Sequence, residues 1–256
     1  MASDLGERPD TDDVRTRTEA VAVEPSRLRR SALLVELYRS SLGKKYAMAV
    51  SGVIMMGYVV AHMLGNLKMY AGAASLDSYA EFLRRLAYPI LPESGMLWLL
   101  RPILIAALLV HVHAAWSLTR ANKRARPTGY ESQRHYVAVD FAGRTMRWTG
   151  IVVLLFIAFH LADLTFGWAN PDFVYGDVYA NLVASLSRWP VAALYIVANL
   201  ALGVHLYHGG WSLFQSLGIN KPRFNQWRKA FAVAFAAVVV AGNVSFPIAV
   251  LTGVVG

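Results

Sequence analysis

Six histidines fall inside long apolar runs: His62, His111, His113, His160, His205 and His208. An imidazole in hydrocarbon is costly, so each needs a partner or a task. Imidazole carries protons near neutral pH and ligates metals. In the stretch HLYHGGW, residues 205–211, two of the six stand beside paired glycines at the end of the run VAALYIVANLALGV. The seventh, His135, sits in a basic polar stretch, where simple solvation is expected.

Five apolar runs must position these side chains: about 46–67, 97–118, 148–168, 190–214 and 230–251. Each is near the 20 residues that cross a bilayer as a helix. The expected fold class is an all-α integral membrane protein with five transmembrane helices, four of them bearing histidine and the fifth bearing none. Of the 256 residues 56% are hydrophobic and 16% charged, against about 25% charged in soluble domains. The net charge of +9 follows topology and implies no nucleic-acid partner. Basic residues crowd the connections after the second and fourth spans, Arg120 to Arg147 and Lys221 to Lys229, and Lys44 and Lys45 precede the first. The positive-inside rule then sets the N-terminus in the cytoplasm and the C-terminus outside. Trp98, Trp148, Trp168 and Trp189 lie at span ends, as interfacial anchors do. Residues 1–30 are polar and expected to be disordered, with one membrane domain over 31–256 and no repeat. Short helices are expected at 31–43, on the membrane surface, and within 68–96.

Depth sorts the histidines. Spans I and III run outward, which sets His62 and His160 roughly 7–12 Å from the outer edge at 1.5 Å per residue. Spans II and IV run inward, which sets His111 and His205 roughly 20–23 Å from it. Two imidazoles facing each other from different helices are what bis-histidine ligation of a b-type haem needs. Two such layers would hold two haems stacked across the bilayer. A lone histidine is more often bonded to a backbone carbonyl, and zinc is a further alternative. Four histidines on four helices, matched in depth, favour haem. The chain has no cysteine, which leaves histidine as the main soft ligand and excludes cysteine-held iron–sulfur clusters and disulfides within it.

His111 and His113 point about 200° apart, so only one can face the inner layer. His111 has Ala107 and Ala115 at i−4 and i+4, a smooth face for a porphyrin. His205 has Gly209 at i+4, which opens the same kind of space, although close helix packing would also use that glycine. His208, one turn nearer the cytoplasm, could meet a haem propionate or a partner protein. Lys44 and Arg147 could pair with propionates, and topology alone would also account for them.

The segments SLGKKYAMAVSGV and HMLGNL, LTRANKRARP, RWTG with FHLADLTFG, and LGVHLYHGGWSLFQSLG resemble the cytochrome b membrane anchor of succinate dehydrogenase. The likeness is to the single-chain, five-helix, di-haem type, related to di-haem fumarate reductase subunits, and spans about residues 40–250. It implies membership of complex II of the tricarboxylic acid cycle, in a bacterial cytoplasmic membrane. It implies a flavoprotein partner with FAD and an iron–sulfur partner, and a route for electrons through two b haems to menaquinone. A trimer of the complex is compatible with it. By motif, the axial ligands would be His62 and His160 at the distal haem, and His111 and His205 at the proximal haem. His205 fits because the family ligand precedes glycines by four and thirteen residues, here Gly209 and Gly218. Some di-haem fumarate reductases carry a proton-conducting glutamate two residues before that ligand. Here the position is Gly203.

The resemblance implies a quinone site near the distal haem, with Asp163, Glu81, Tyr79, Arg85 and Arg101 as local candidates. Asp163 is one turn beyond His160, and a carboxylate at that depth is expensive. No flavin fingerprint or dicarboxylate site is evident, so succinate oxidation would belong to partners. Two other readings compete: a di-haem anchor for another dehydrogenase such as a hydrogenase, and a haem-free transporter using its histidines as proton relays.

Overall fold

A computed structural model describes residues 30–125, 137–219 and 221–256. The N-terminal segment up to residue 29, His135, and Arg126 and Arg134 of the basic connection lie outside the described residues. The helices are α1 (Arg30–Arg39), α2 (Ser41–Asn66), α3 (Ala73–Arg85), α4 (Gly95–Arg124), α5 (Val137–Leu164), α6 (Val178–Ser187), α7 (Trp189–Ser216) and α8 (Asn225–Leu251). Short 3-10 turns, Leu67–Ala71 and Pro222–Phe224, extend α2 and precede α8. Among the described residues five helical stretches are long and apolar enough to cross a membrane, as the hydrophobic runs predict.

The spans differ from the apolar runs in length. Ser41–Ala71 and Gly95–Arg124 overshoot their runs at both ends, and Pro222–Leu251 overshoots its run at the N-terminal end. Polar and basic flanks continue the helix because long side chains can bury their stems and still reach water. The third span stops earlier than its run suggests, at Leu164. Thr165 and Phe166 both donate their N–H to the Leu161 carbonyl, and Gly167 turns away at φ +72°. Trp168 therefore stands beyond the helix, exposed, as are Trp98, Trp148 and Trp189.

The two short helices expected beside the membrane are present as α1 and α3. The corner from α1 into α2 is tight. The Ser40 hydroxyl caps α2 by accepting from Gly43 N–H at 2.9 Å, and Gly43 lies so close to the Leu37 carbonyl that a side chain there would collide with it. A third short helix, α6, is not anticipated by the hydrophobic runs. Asp177 caps it at 2.9 Å from Ala180 N–H, and Asp77 of α3 accepts from Val178 and Tyr179 N–H at 3.1 and 3.0 Å. One carboxylate thus ties together two helices a hundred residues apart.

Packing is organised as two antiparallel hairpins. The first is α2 with α4, the second α5 with α7, and α8 lies along α7 and also touches α2. The α7–α8 contact is close because it is lined by small residues. Gly210 meets Ala232, and a Cβ at Gly203 would overlap Val240 Cγ2. Position 203 therefore faces α8. At the α3 and α6 end, Met63, Met69, Leu76, Leu182, Leu186, Phe246 and Val250 form one buried cluster. At the opposite end α7 stops at Gly218, φ +82°, where Ile219 N–H returns to the Phe214 carbonyl. The second glycine of the span IV motif is thus a helix terminator.

Gly203→Leu is expected to separate α7 from α8 and lower stability by about 1–3 kcal/mol, the usual cost of overpacking. The check is thermal unfolding in detergent, with the unaltered protein as the comparison.

Candidate cofactor site between the helix hairpins

The hairpins face each other through four imidazoles. His62 of α2 and His160 of α5 have ring centroids 5.7 Å apart, with planes at 75°. His111 of α4 and His205 of α7 are 6.3 Å apart, with planes at 62°. These are the pairings expected from depth along the sequence. Each hairpin gives one ring to each layer. From Gly52, which abuts the His111 ring, to His62 is ten residues, so the layers are separated by about 15 Å along the helix.

The rings are fixed through Nδ1. His111 Nδ1 lies 3.2 Å from the Met48 carbonyl and 3.3 Å from Ser51 Oγ. His205 Nδ1 lies 3.4 Å from Thr149 Oγ1, with the Met146 carbonyl as a further partner. Asn66 meets His62 Nδ1 at 3.1 Å, and the Tyr195 hydroxyl meets His160 Nδ1 at 3.2 Å. None of the four Nε2 atoms has a hydrogen-bond partner among the described residues. The nitrogen that a transverse metal would take is the one left free.

The two hairpins repeat one pattern, contrary to the sequence expectation of no repeat. Met48, Ser51, Gly52 and His62 correspond in spacing to Met146, Thr149, Gly150 and His160, and the first three also in contact. A Cβ on Gly52 would stand 3.6 Å from His111 Cε1, and one on Gly150 would stand 3.5 Å from His205 Cε1. The shared Met-x-x-Ser/Thr-Gly, followed ten residues later by His, carries this signal in the sequence, but it is short and hidden by apolar filler.

The geometry fits a haem held by two histidines. Metal–nitrogen bonds of about 2.0 Å, with each ring centre about 1.1 Å further on, place the centroids about 6.2 Å apart. The observed 5.7 and 6.3 Å bracket that value. Gly209 leaves open space one turn beyond His205. A structural zinc site needs four protein ligands. Among the described residues no three His, Cys, Asp or Glu side chains converge.

The other sequence candidates are dispersed. His113 turns away from His205 and stacks on Tyr38 of α1, 2.6 Å from its hydroxyl. The same two residues line a cleft of about 540 Å³ with Lys44, Arg39 and Ser117. His208 is buried and bonds Thr145 Oγ1 at 3.3 Å. Arg147 is exposed. Glu81 and Arg85 pair at 2.9 Å on an exposed face of α3, Tyr79 packs on Gly65, and Arg101 lies over the Trp98 ring. Asp163 is fully buried, and its carboxylate is bonded by Ser185, Arg188 and Tyr195. Ser51, Thr149, Asn66, Ser185, Arg188 and Tyr195 are the residues at the site that sequence reasoning missed.

Fold and site together define a five-span helical membrane protein with two transverse histidine pairs. The chain is similar to the succinate dehydrogenase cytochrome b558 subunit of Bacillus subtilis (strain 168), at 26% identity over 171 residues, which cover 66% of this chain and 76% of that protein. This similarity supports the family expected from the sequence motifs, as a distant relative. No family model and no solved structure matches the chain.

Gly150→Leu is expected to push the His205 ring out of line and leave the His62–His160 pair in place. On the expectation of one haem in each layer, reduced-minus-oxidised spectra of the purified variant should then lose the component of one layer and keep the other.

Proposed function

We propose that this chain is the membrane anchor and cytochrome b subunit of a succinate:quinone oxidoreductase. It would transfer electrons from a cytoplasmic flavoprotein and iron–sulfur pair to menaquinone. The observation that carries this reading is the pair of facing imidazoles in each layer, set at the spacing that bis-histidine haem ligation requires. The similarity to a succinate dehydrogenase cytochrome b subunit supports the partner assignment.

His62 and His160 would hold one b haem, and His111 and His205 the second. When bound, haem supplies a one-electron iron couple whose potential answers to its axial ligands and their hydrogen bonds. The chain's own part is to hold the rings. The Met48 and Met146 carbonyls and the Ser51 and Thr149 hydroxyls keep the Nδ1 protons of His111 and His205 and direct Nε2 into the gap. Gly52 and Gly150 let those rings lie against the helices, and the lipid-facing apolar surfaces exclude water. Basic residues near the N-terminal end of α2, Lys44 and Lys45, would lie on the cytoplasmic side with Lys221, Arg223 and Lys229, where the acidic face of an iron–sulfur partner can dock. The quinone would lie at the opposite end, near Asp163 and the α3 helix that carries Tyr79, Glu81 and Arg85.

The test is pyridine-haem quantification and a reduced-minus-oxidised spectrum of the purified complex. Two b haems per chain are expected, with loss in His62→Ala, His111→Ala, His160→Ala and His205→Ala, and none in His113→Ala. A colourless protein would remove the redox reading in favour of a transporter.

The proposed orientation has an energetic consequence. Electrons moving outward across an inside-negative membrane gain about 2.3 kcal/mol per charge per 100 mV. Gly203, packed on Val240, offers no carboxylate for a compensating proton route. Uncoupler is therefore expected to lower succinate:menaquinone activity in sealed vesicles, and an unchanged rate would refute this coupling.

A further inference from the structure

Three of the four facing histidines end on neutral groups. His111 and His205 meet backbone carbonyls and hydroxyls, and His62 meets the Asn66 amide. His160 is different. Its Nδ1 lies 3.2 Å from the Tyr195 hydroxyl, and Tyr195 donates onward to Asp163 Oδ2 at 2.9 Å. The same carboxylate oxygen accepts from Ser185 Oγ, and Oδ1 accepts from Arg188 Nη2 at 2.7 Å. Arg188 is itself held by the Ala169 carbonyl at 2.7 Å, so the guanidinium cannot drift from the carboxylate without losing a second bond. Phe156 packs against both rings, 5.8 Å from His160 and 4.9 Å from Tyr195.

We propose that Tyr195 and Asp163, with Arg188 as counter-ion, are positioning residues that lock His160 and set the potential of the metal in the His62–His160 layer apart from that of the other layer. The proposal rests on the bis-histidine haem reading. Its direction follows from which groups can donate. Iron on Nε2 leaves the proton on Nδ1, so His160 donates and the Tyr195 oxygen accepts. The Tyr195 proton then has one acceptor, the Asp163 carboxylate. An anion at the end of such a chain strengthens the imidazole as a ligand and favours the more oxidised metal. The same logic turns the Asn66 amide so that Oδ1 receives the His62 Nδ1 proton. Among the described residues no equivalent anion stands behind His111 or His205. One layer is therefore backed by symmetric, neutral acceptors, and the other by an asymmetric, charged one.

The carboxylate and guanidinium act with opposite sign. Removing the negative charge while keeping the shape, Asp163→Asn, raises the potential of the His62–His160 metal. Tyr195→Phe cuts the relay and leaves the Asp163–Arg188 pair intact, which raises it by less. Arg188→Gln leaves the carboxylate uncompensated and lowers it. A general loosening of the fold has no reason to produce opposite shifts.

The experiment is a potentiometric titration of the whole purified complex, followed by haem absorbance. The component lost in His62→Ala assigns the layer. The expected result is a shift of that component alone, upward in Asp163→Asn and Tyr195→Phe and downward in Arg188→Gln, with the other component unmoved. Components that move together, or a His62-dependent component that stays put in all three variants, would overturn the proposal. If either charge variant fails to assemble, Tyr195→Phe decides alone, and an unmoved potential overturns it. Absence of haem from the unaltered complex would instead overturn the function proposed above.

Discussion

An imidazole placed in hydrocarbon must have its hydrogen bonds met, and this one requirement organises the molecule. Each of the four facing histidines meets it on one nitrogen from its own hairpin, and in three cases from the other helix of that hairpin. That arrangement needs a carbonyl or hydroxyl at a fixed height on the neighbouring helix. It also needs a glycine there to admit the ring, which Gly52 and Gly150 supply. Helix spacing, ring orientation and the free nitrogen all follow from it. Without the second helix of each hairpin His111, His160 and His205 would be unpaired polar groups in lipid, costing several kcal/mol each.

The repeat of Met48, Ser51, Gly52 and His62 in Met146, Thr149, Gly150 and His160 gives the two halves one spacing around the gap. Two copies of one hairpin, facing each other, give two transverse pairs without any further invention. The fifth span stands outside this symmetry. It backs α7 through small residues, and it brings Met63 of α2 against Gly242. Its lack of histidine fits a role as a brace for the bundle. A side chain at Gly203 would push this brace away, so close packing and a carboxylate at that position exclude each other here.

Five spans and the depth pairing of the histidines were legible in the sequence because both rest on rules with long range. Hydrocarbon thickness sets the span, and helical rise sets the height of each residue. The choice of His111 over His113 was legible only as a 200° alternative, and the packing of Tyr38 on His113 resolves which ring faces the gap. What the sequence hid was side-chain partnership across elements. Asp77 capping α6, Tyr195 reaching His160 and Arg188 reaching Asp163 join residues 25 to 101 positions apart. Helix α6 was hidden for a related reason. Its ten residues are too few for a span, and its start depends on Asp77 from elsewhere in the chain.

Asp163 shows how a sequence rule and a structure weigh the same residue differently. A carboxylate at membrane depth reads as a proton carrier, since its burial is otherwise unexplained. Here three donors bond it: a hydroxyl, a phenol and a guanidinium. Both carboxylate oxygens are thereby met by donors, so its burial is explained without a transport role. Its Arg188 partner is only partly exposed, so the pair is screened little by water. Breaking such a pair by removing one member usually costs more than the pair contributes, because it leaves one charge uncompensated. The cost of burying Asp163 is thus met by the same contacts that fix Tyr195, and Tyr195 in turn fixes the ring of His160.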